Sequence, residues 1–183
     1  MSNIYYNPCG VALPDYVCAP CGVTSKEKGR VRSAFFVSAA YYGTLMSDPT
    51  NLAIWQAGIA SKDIIIVPQT QGTFNGGAPI KEPGYGDQKE VITGYDFQLQ
   101  LKDPNYNSNT LFYDTIAQSN QWHVGWRSSS KTKVSGVPAT VAPSAPIEDD
   151  INSTVEWNLD ITWSEASHQA PFTAPAKVYN CPN

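Results

Sequence analysis

Two stretches of this chain alternate apolar and polar residues without interruption, and that pattern leaves little choice of local structure. In residues 91–101, Val91, Thr93, Tyr95, Phe97, Leu99 and Leu101 fall on one side of an extended backbone, and Ile92, Gly94, Asp96, Gln98 and Gln100 on the other. In residues 154–163, Val155, Trp157, Leu159, Ile161 and Trp163 oppose Thr154, Glu156, Asn158, Asp160 and Thr162. Successive side chains point to opposite faces in a strand, so a sustained period of two means a long strand with one face in a core and one in water. Sheets with a wet face are antiparallel in most folds, because parallel sheets are covered on both sides by crossover helices.

Shorter signals fill in the rest. Residues 31–37 read as a first strand, and Ile64-Ile65-Ile66-Val67 as a core strand ended by Pro68. Asp48-Pro49 suits a helix start, with Leu52, Trp55 and Ile59 on one face of a helix over 49–60. A second helix is expected from residue 108 or 109 to 119, with Leu111, Phe112, Thr115 and Ile116 stacked on one side. Trp122, Val124 and Trp126 then alternate with His123, Gly125 and Arg127, a strand whose second set is assigned to a polar face. The glycines and prolines of residues 69–86 mark turns and a loop. Residues 128–150 form a long loop or an irregular hairpin through 134–141.

At 183 residues the chain suits one domain. The expected fold is mainly β: an antiparallel β-sandwich or barrel with one or two short flanking helices. To it are added an N-terminal cysteine-containing arm (1–30), the long loop (128–150) and an extended C-terminal tail (164–183).

Charged residues make up only 15% of the chain, against 42% hydrophobic, so its surface is either covered by partners or rich in neutral polar groups. A formal net charge of -4 with scattered Lys and Arg gives no basic field for sequence-specific nucleic-acid binding. No apolar run approaches a membrane span, and residues 1–8 have neither a basic region nor an apolar signal core, so folding in a cytoplasm is expected. In that reducing compartment clustered thiols favour metal over disulfides. Cys18-Ala19-Pro20-Cys21 is a C-x-x-C knuckle, and Cys9 and Cys181 would complete a four-thiolate structural zinc site tying the termini together; two disulfides or buried free thiols are the alternatives.

Catalytic signatures are missing from the sequence: no Gly-rich phosphate loop, no HExxH and no nucleophile elbow. His123 and His168 have no paired nucleophile motif, and Glu156 and Asp160, four apart on one strand, stand about 13 Å apart, beyond the usual glycosidase separations. A non-enzymatic protein is expected. Trp122, Trp126, Trp157 and Trp163 sit on apolar strand faces as core, which leaves Tyr5, Tyr6, Tyr16, Tyr41, Tyr42 and Tyr106 as the freer rings for a competing carbohydrate-binding reading.

The segment Gly84-Tyr85-Gly86-Asp87-Gln88-Lys89-Glu90-Val91-Ile92-Thr93-Gly94, the strand it opens, the helix over 109–116, the Trp122 strand and the strand from Val155 to Trp163 together resemble structural proteins of phages infecting Bacteroidetes-type hosts, and more loosely tail-tube proteins. Cys18-Ala19-Pro20-Cys21 leading into Gly29-Arg30-Val31-Arg32-Ser33-Ala34-Phe35 is similar to the same group. The resemblance implies a virion protein assembled in the host cytoplasm, a β-sandwich or barrel that closes into rings, commonly hexameric, stacked into a tube for DNA. Its partners would be copies of itself and other virion proteins. Asp96, Glu156 and Asp160 would line the channel with an acidic face, while the 128–150 loop and the termini would contact neighbouring rings. The four cysteines are not general to tail tubes and fit a neck, stopper or capsid-associated protein instead.

Overall fold

The computed structural model describes residues 29–68, 70–84, 86, 89–147 and 154–179. Among them are nine strands and three α-helices. In chain order these are β1 (Ser33–Ser38), α1 (Ala39–Ser47), α2 (Leu52–Ala60), β2 (Ile64–Val67), β3 (Gln71–Phe74), β4 (Ala78–Glu82) and β5 (Val91–Asp103), followed by α3 (Thr110–Ala117), β6 (Trp122–Arg127), β7 (Thr132–Val134), β8 (Thr140–Ser144) and β9 (Trp157–Glu165). Every strand pairing is antiparallel. The smaller sheet has the order β2-β1-β6-β7 and the larger β3-β5-β9-β8, with β4 also paired to β5. The two sheets form an open sandwich and not a closed barrel.

The smaller sheet is the middle of three layers. On one side Phe36, Val124 and Trp126 meet Phe97, Leu99, Leu101, Leu159, Ile161 and Trp163 of the larger sheet, and Tyr113 and Ile116 of α3 close the end. On the other side Phe35, Val37 and Ile64 pack against Leu45 of α1, Trp55 of α2 and, from the C-terminal segment, Val178 and Tyr179. The rings of Phe35 and Trp55 meet edge to face at 5.0 Å, a geometry worth about 1 kcal/mol beyond area burial. The double burial explains why Ser33 through Val37 are all buried, with no alternation.

It also explains several departures from the sequence reading. His123 and Gly125 do not face water: the helical layer covers that side, His123 is 4% exposed, and its ring stacks on Tyr42 at 3.9 Å. β2 is an edge strand of its sheet, buried at Ile64 in the cluster with Trp55 of α2 and at Val67 in the core shared with the larger sheet. The helix placed at Asp48-Pro49 starts three residues later, capped by Asn51, whose side chain accepts from Ala53 N at 3.0 Å. Asp48 instead ends the unforeseen α1, which is capped by Ser38. In α3 the buried residues are Tyr113 and Ile116, whereas Leu111 is 80% exposed. Residues 128–150 contain β7 and β8 on different sheets, so they carry a crossover rather than a hairpin. The C-terminal segment is extended only as far as a short 3-10 turn at Ala176–Tyr179.

Residues 71–82, within the stretch 69–86 read as turns and a loop, are a strand interrupted once. β3 and β4 lie in line along β5, and between them Gly76 and Gly77 take positive φ values of 78° and 94°, which only glycine adopts without strain. The Asn75 side chain closes this bulge: its Oδ1 accepts from Gln98 N and Gly77 N, both at 3.0 Å. The outer strands β4 and β8 contain Pro79 and Pro143, and proline on an edge blocks indiscriminate strand addition.

Close approach of the layers makes Gly125 sensitive. A Cβ built there would run into the Phe35 ring, which is fully buried and hemmed in by Trp55 and Tyr179. Gly125→Ala should lower stability by about 2 kcal/mol through overpacking, seen as a lower urea midpoint with an unchanged slope; an unshifted midpoint would contradict this packing.

Candidate functional site

β5 and β9 pair over nine rungs, from Tyr95↔Glu165 to Asp103↔Trp157, and this ladder decides which side chains face solvent. Phe97, Leu99 and Leu101 point to the core with Trp157, Leu159, Ile161 and Trp163. Asp96, Gln98, Gln100 and Lys102, and opposite them Ser164, Thr162, Asp160 and Asn158, take the other face. Gln71 and Thr73 of β3 and Thr140 and Ser144 of β8 extend that face to both edges. No layer covers it. Among the described residues it is a polar surface four strands wide.

Of the three acidic residues singled out in the sequence, Asp96 and Asp160 lie on this surface. Asp160 stands opposite Gln100, Asp96 is four rungs along opposite Ser164, and Glu156 is four residues away in the other direction. At about 3.3 Å per residue Asp96 and Asp160 are about 13 Å apart along the ladder, and Glu156 lies just before β9, off the end of the ladder and beside Lys102. Each carboxylate has a nearby partner. Gln98 Nε2 donates to Asp160 Oδ1 at 2.7 Å and Ser164 Oγ to Asp96 Oδ1 at 2.5 Å. Lys102 Nζ lies 3.7 Å from Glu156 Oε2, with the lysine side chain 64% exposed, an ion pair of small energetic weight.

Two depressions divide the face. One of about 600 Å³ is lined by Gln71, Thr73, Gln100, Asn158 and Asp160, with Arg30 at its rim. The other, of about 700 Å³, is lined by Asn75, Asp96, Gln98, Thr140 and Thr162. The outward-pointing side chains of the ladder are amide, hydroxyl and carboxylate together with Lys102, and the core residues Leu101 and Leu159 in the first depression and Phe97 and Trp163 in the second also reach the lining. Of the tryptophans read as core, Trp126, Trp157 and Trp163 are buried, and Trp122 is half-buried against the same core. Tyr41, Tyr42 and Tyr106 are half-buried too.

Beyond the sandwich β5 continues with a partner on one side only. β9 ends at the Tyr95 rung, while β4 pairs as far as Val91, so β4 and the start of β5 make a two-stranded ribbon. Its consecutive residues Val91 and Ile92 point to opposite faces and are 55% and 50% exposed. A lone two-stranded ribbon is marginal in water, and this one carries an exposed apolar side chain on each face. The alternation assigned Val91 to the core; the sequence carries no sign of where the covering sheet stops.

Cys9, Cys18, Cys21 and Cys181, the proposed zinc ligands, lie outside the described residues, as do Tyr5, Tyr6 and Tyr16. Among the described residues no cluster of three or more His, Cys, Asp or Glu is placed to hold a metal, and no helix is long and apolar enough to cross a membrane. In comparisons with protein-family models, curated proteins and solved structures, nothing matches this chain.

The two histidines are far apart in character. His168 is exposed beside Tyr95, with ring centroids 4.2 Å apart. His123 Nδ1 lies 2.8 Å from Ser135 O, and burial pushes its pKa down, opposed by that hydrogen bond and by the nearby Glu165 carboxylate. A folded pKa below the ordinary 6.5 means that the unfolded chain binds the proton more tightly, so the native state loses stability as pH falls from about 6.5 toward the lowered value. His123→Asn should flatten the stability profile in that window, as measured by urea unfolding at pH 7.5, 6.5 and 5.5; an equally steep fall in the variant would assign the effect elsewhere.

Proposed function

We propose that this chain is a non-enzymatic structural subunit of a phage virion, which closes into rings that stack as a tail tube, with the open face of the larger sheet turned to the channel. The observation that carries the reading is the pair of carboxylates Asp96 and Asp160 among the amides and hydroxyls of the open face, with Glu156 at its end paired to Lys102, on a sheet whose reverse side is the core. DNA moving through a tube needs a wall that neither grips phosphates nor exposes apolar groups. Sparse carboxylates held among amides and hydroxyls repel the backbone weakly along the whole ladder.

The projecting ribbon supports assembly in the same picture. Val91 and Ile92 are exposed on opposite faces in the single chain, and burying both requires a neighbouring subunit on each side, as stacking or ring closure provides. The carbohydrate-binding alternative draws less support, because among the described residues the aromatic side chains of β5 and β9 belong to the core side of the sheet and not to its open face.

Negative-stain electron microscopy of the purified chain over a range of concentrations should show rings or stacked tubes with an open centre. The double variant Val91→Ser, Ile92→Ser should stay monomeric under the same conditions, with its unfolding free energy within about 1 kcal/mol of wild type; tubes from that variant would remove the ribbon from the assembly contact. Glu156→Lys with Asp160→Lys should assemble normally yet deliver DNA poorly in a complementation assay of infectivity, and undiminished infectivity would count against these carboxylates facing the channel.

A further inference from the structure

A third hollow, outside the polar face, has the opposite chemistry. It opens at the β3 edge of the sandwich, where the two sheets part, and encloses about 360 Å³. Phe74 of β3, Trp126 of β6 and Pro171 form its apolar wall, and Arg30, Lys131 and Lys133 supply the charged groups around it. Phe74 and Trp126 have ring centroids 4.5 Å apart, and Lys133 Nζ is 5.9 Å from the Phe74 centroid. Lys131 Nζ donates to Thr173 Oγ1 at 3.3 Å, which anchors that ammonium near the C-terminal segment. Among the described residues no carboxylate lines the hollow. A chain with twelve Lys and Arg in total thus places three of them around one aromatic cleft.

The sequence contains one segment of matching chemistry. Glu148-Asp149-Asp150 is the only place where acidic residues are consecutive, and it is flanked by Ile147 and Ile151. Ile147 is 75% exposed at the end of the described stretch that follows β8. β8 is the edge of the larger sheet opposite β3. Ile147, which leads into the acidic run, follows β8, and the aromatic-cationic cleft lies at β3, so the two are at opposite ends of the strand order β3-β5-β9-β8, the arrangement that gives a head-to-tail contact between copies. The N-terminal residues that lead into Arg30 fit the cleft less well, since Asp15, Lys26, Glu27 and Lys28 cancel in charge.

We infer that the Phe74–Trp126 cleft receives the Ile147-Glu148-Asp149-Asp150-Ile151 segment of a second copy of this chain, an isoleucine side chain against the aromatic wall and the carboxylates against Arg30, Lys131 and Lys133. The inference rests on the self-assembly reading above and names a contact within it. Such a contact is heterologous, so it propagates from subunit to subunit, and its charge component weakens with salt.

The direct test needs no assembly. A fluorescently labelled peptide covering residues 145–152 should bind the wild-type chain by anisotropy. Binding should weaken about tenfold or more when the peptide carries E148K, D149K and D150K, when the protein carries K133E, or when ionic strength rises well above physiological. The peptide arm leaves the protein unaltered, so it is unaffected by any misfolding of the variant. Absence of binding at millimolar peptide, or equal binding of the charge-reversed peptide, overturns the inference. In the assembly arm, full chains bearing either E148K/D149K/D150K or K133E should fail to grow alone, and an equimolar mixture should stop at the heterodimer that one intact contact allows. Variants that form tubes as wild type does would overturn the inference and leave the tube reading standing. Peptide binding by a wild-type chain that never assembles would remove the tube reading and support the cleft as the segment's site.

Discussion

The structure depends on β1 being packed from both sides. Six residues supply Phe36 and Ala34 to the core shared with the larger sheet, and Phe35 and Val37 to the core under the helices. Both clusters therefore share one backbone, held in register by β2 and β6. A change that shifts β1 by one residue would exchange the two faces and mismatch both cores together. Gly125 follows from the same constraint: it faces Phe35 across the β1–β6 ladder, and only a residue without a side chain lets the ring lie over the strand.

Because the middle sheet takes apolar cover from two directions, the larger sheet is left with one wet face. Its inner side is fixed by Leu99, Leu101, Leu159 and Ile161, all essentially buried. Among the described residues nothing packs on the outer side, so its composition is not set by either core. It is filled with Gln, Asn, Thr, Ser and Asp, with little of the Lys and Glu that solvated sheet faces commonly carry. Short polar side chains that bond one another across strands, as Gln98 and Asp160 do, make a smooth and weakly charged wall.

The long strands were legible because their two faces differ: the inward set from Phe97 to Leu101 and from Trp157 to Trp163 is the buried set of the structure. Legibility failed wherever a second layer removed that difference. His123 and Gly125 look polar or permissive in sequence, yet Tyr42 and Phe35 cover them. α1 was missed because residues 39–47 mix alanine, tyrosine and glycine, and only Leu45 is fully buried. β3 and β4 were hidden by Gly76, Gly77 and Pro79, turn-forming types that serve here as a bulge and an edge position. The acidic residues of the open face were placed together by the alternation alone. Lys102 and Ser164, which engage two of them, belong to neighbouring rungs that only the register of β5 on β9 reveals.

Edge chemistry separates ordered assembly from aggregation in such a molecule. A sandwich with two open sheets has exposed ladders that any extended chain can join. Pro79 on β4 and Pro143 on β8 remove a backbone donor from each outer edge of the larger sheet. The smaller sheet ends in β7, only three residues long, and in β2, covered by α2. With strand addition disfavoured on these sides, association is left to side-chain surfaces: the Val91–Ile92 ribbon and the aromatic cleft at Phe74. Side-chain contacts depend on shape and charge where backbone pairing does not. Under the proposed self-assembly, blunted edges would leave copies to join through the projecting ribbon and the charged cleft in one geometry.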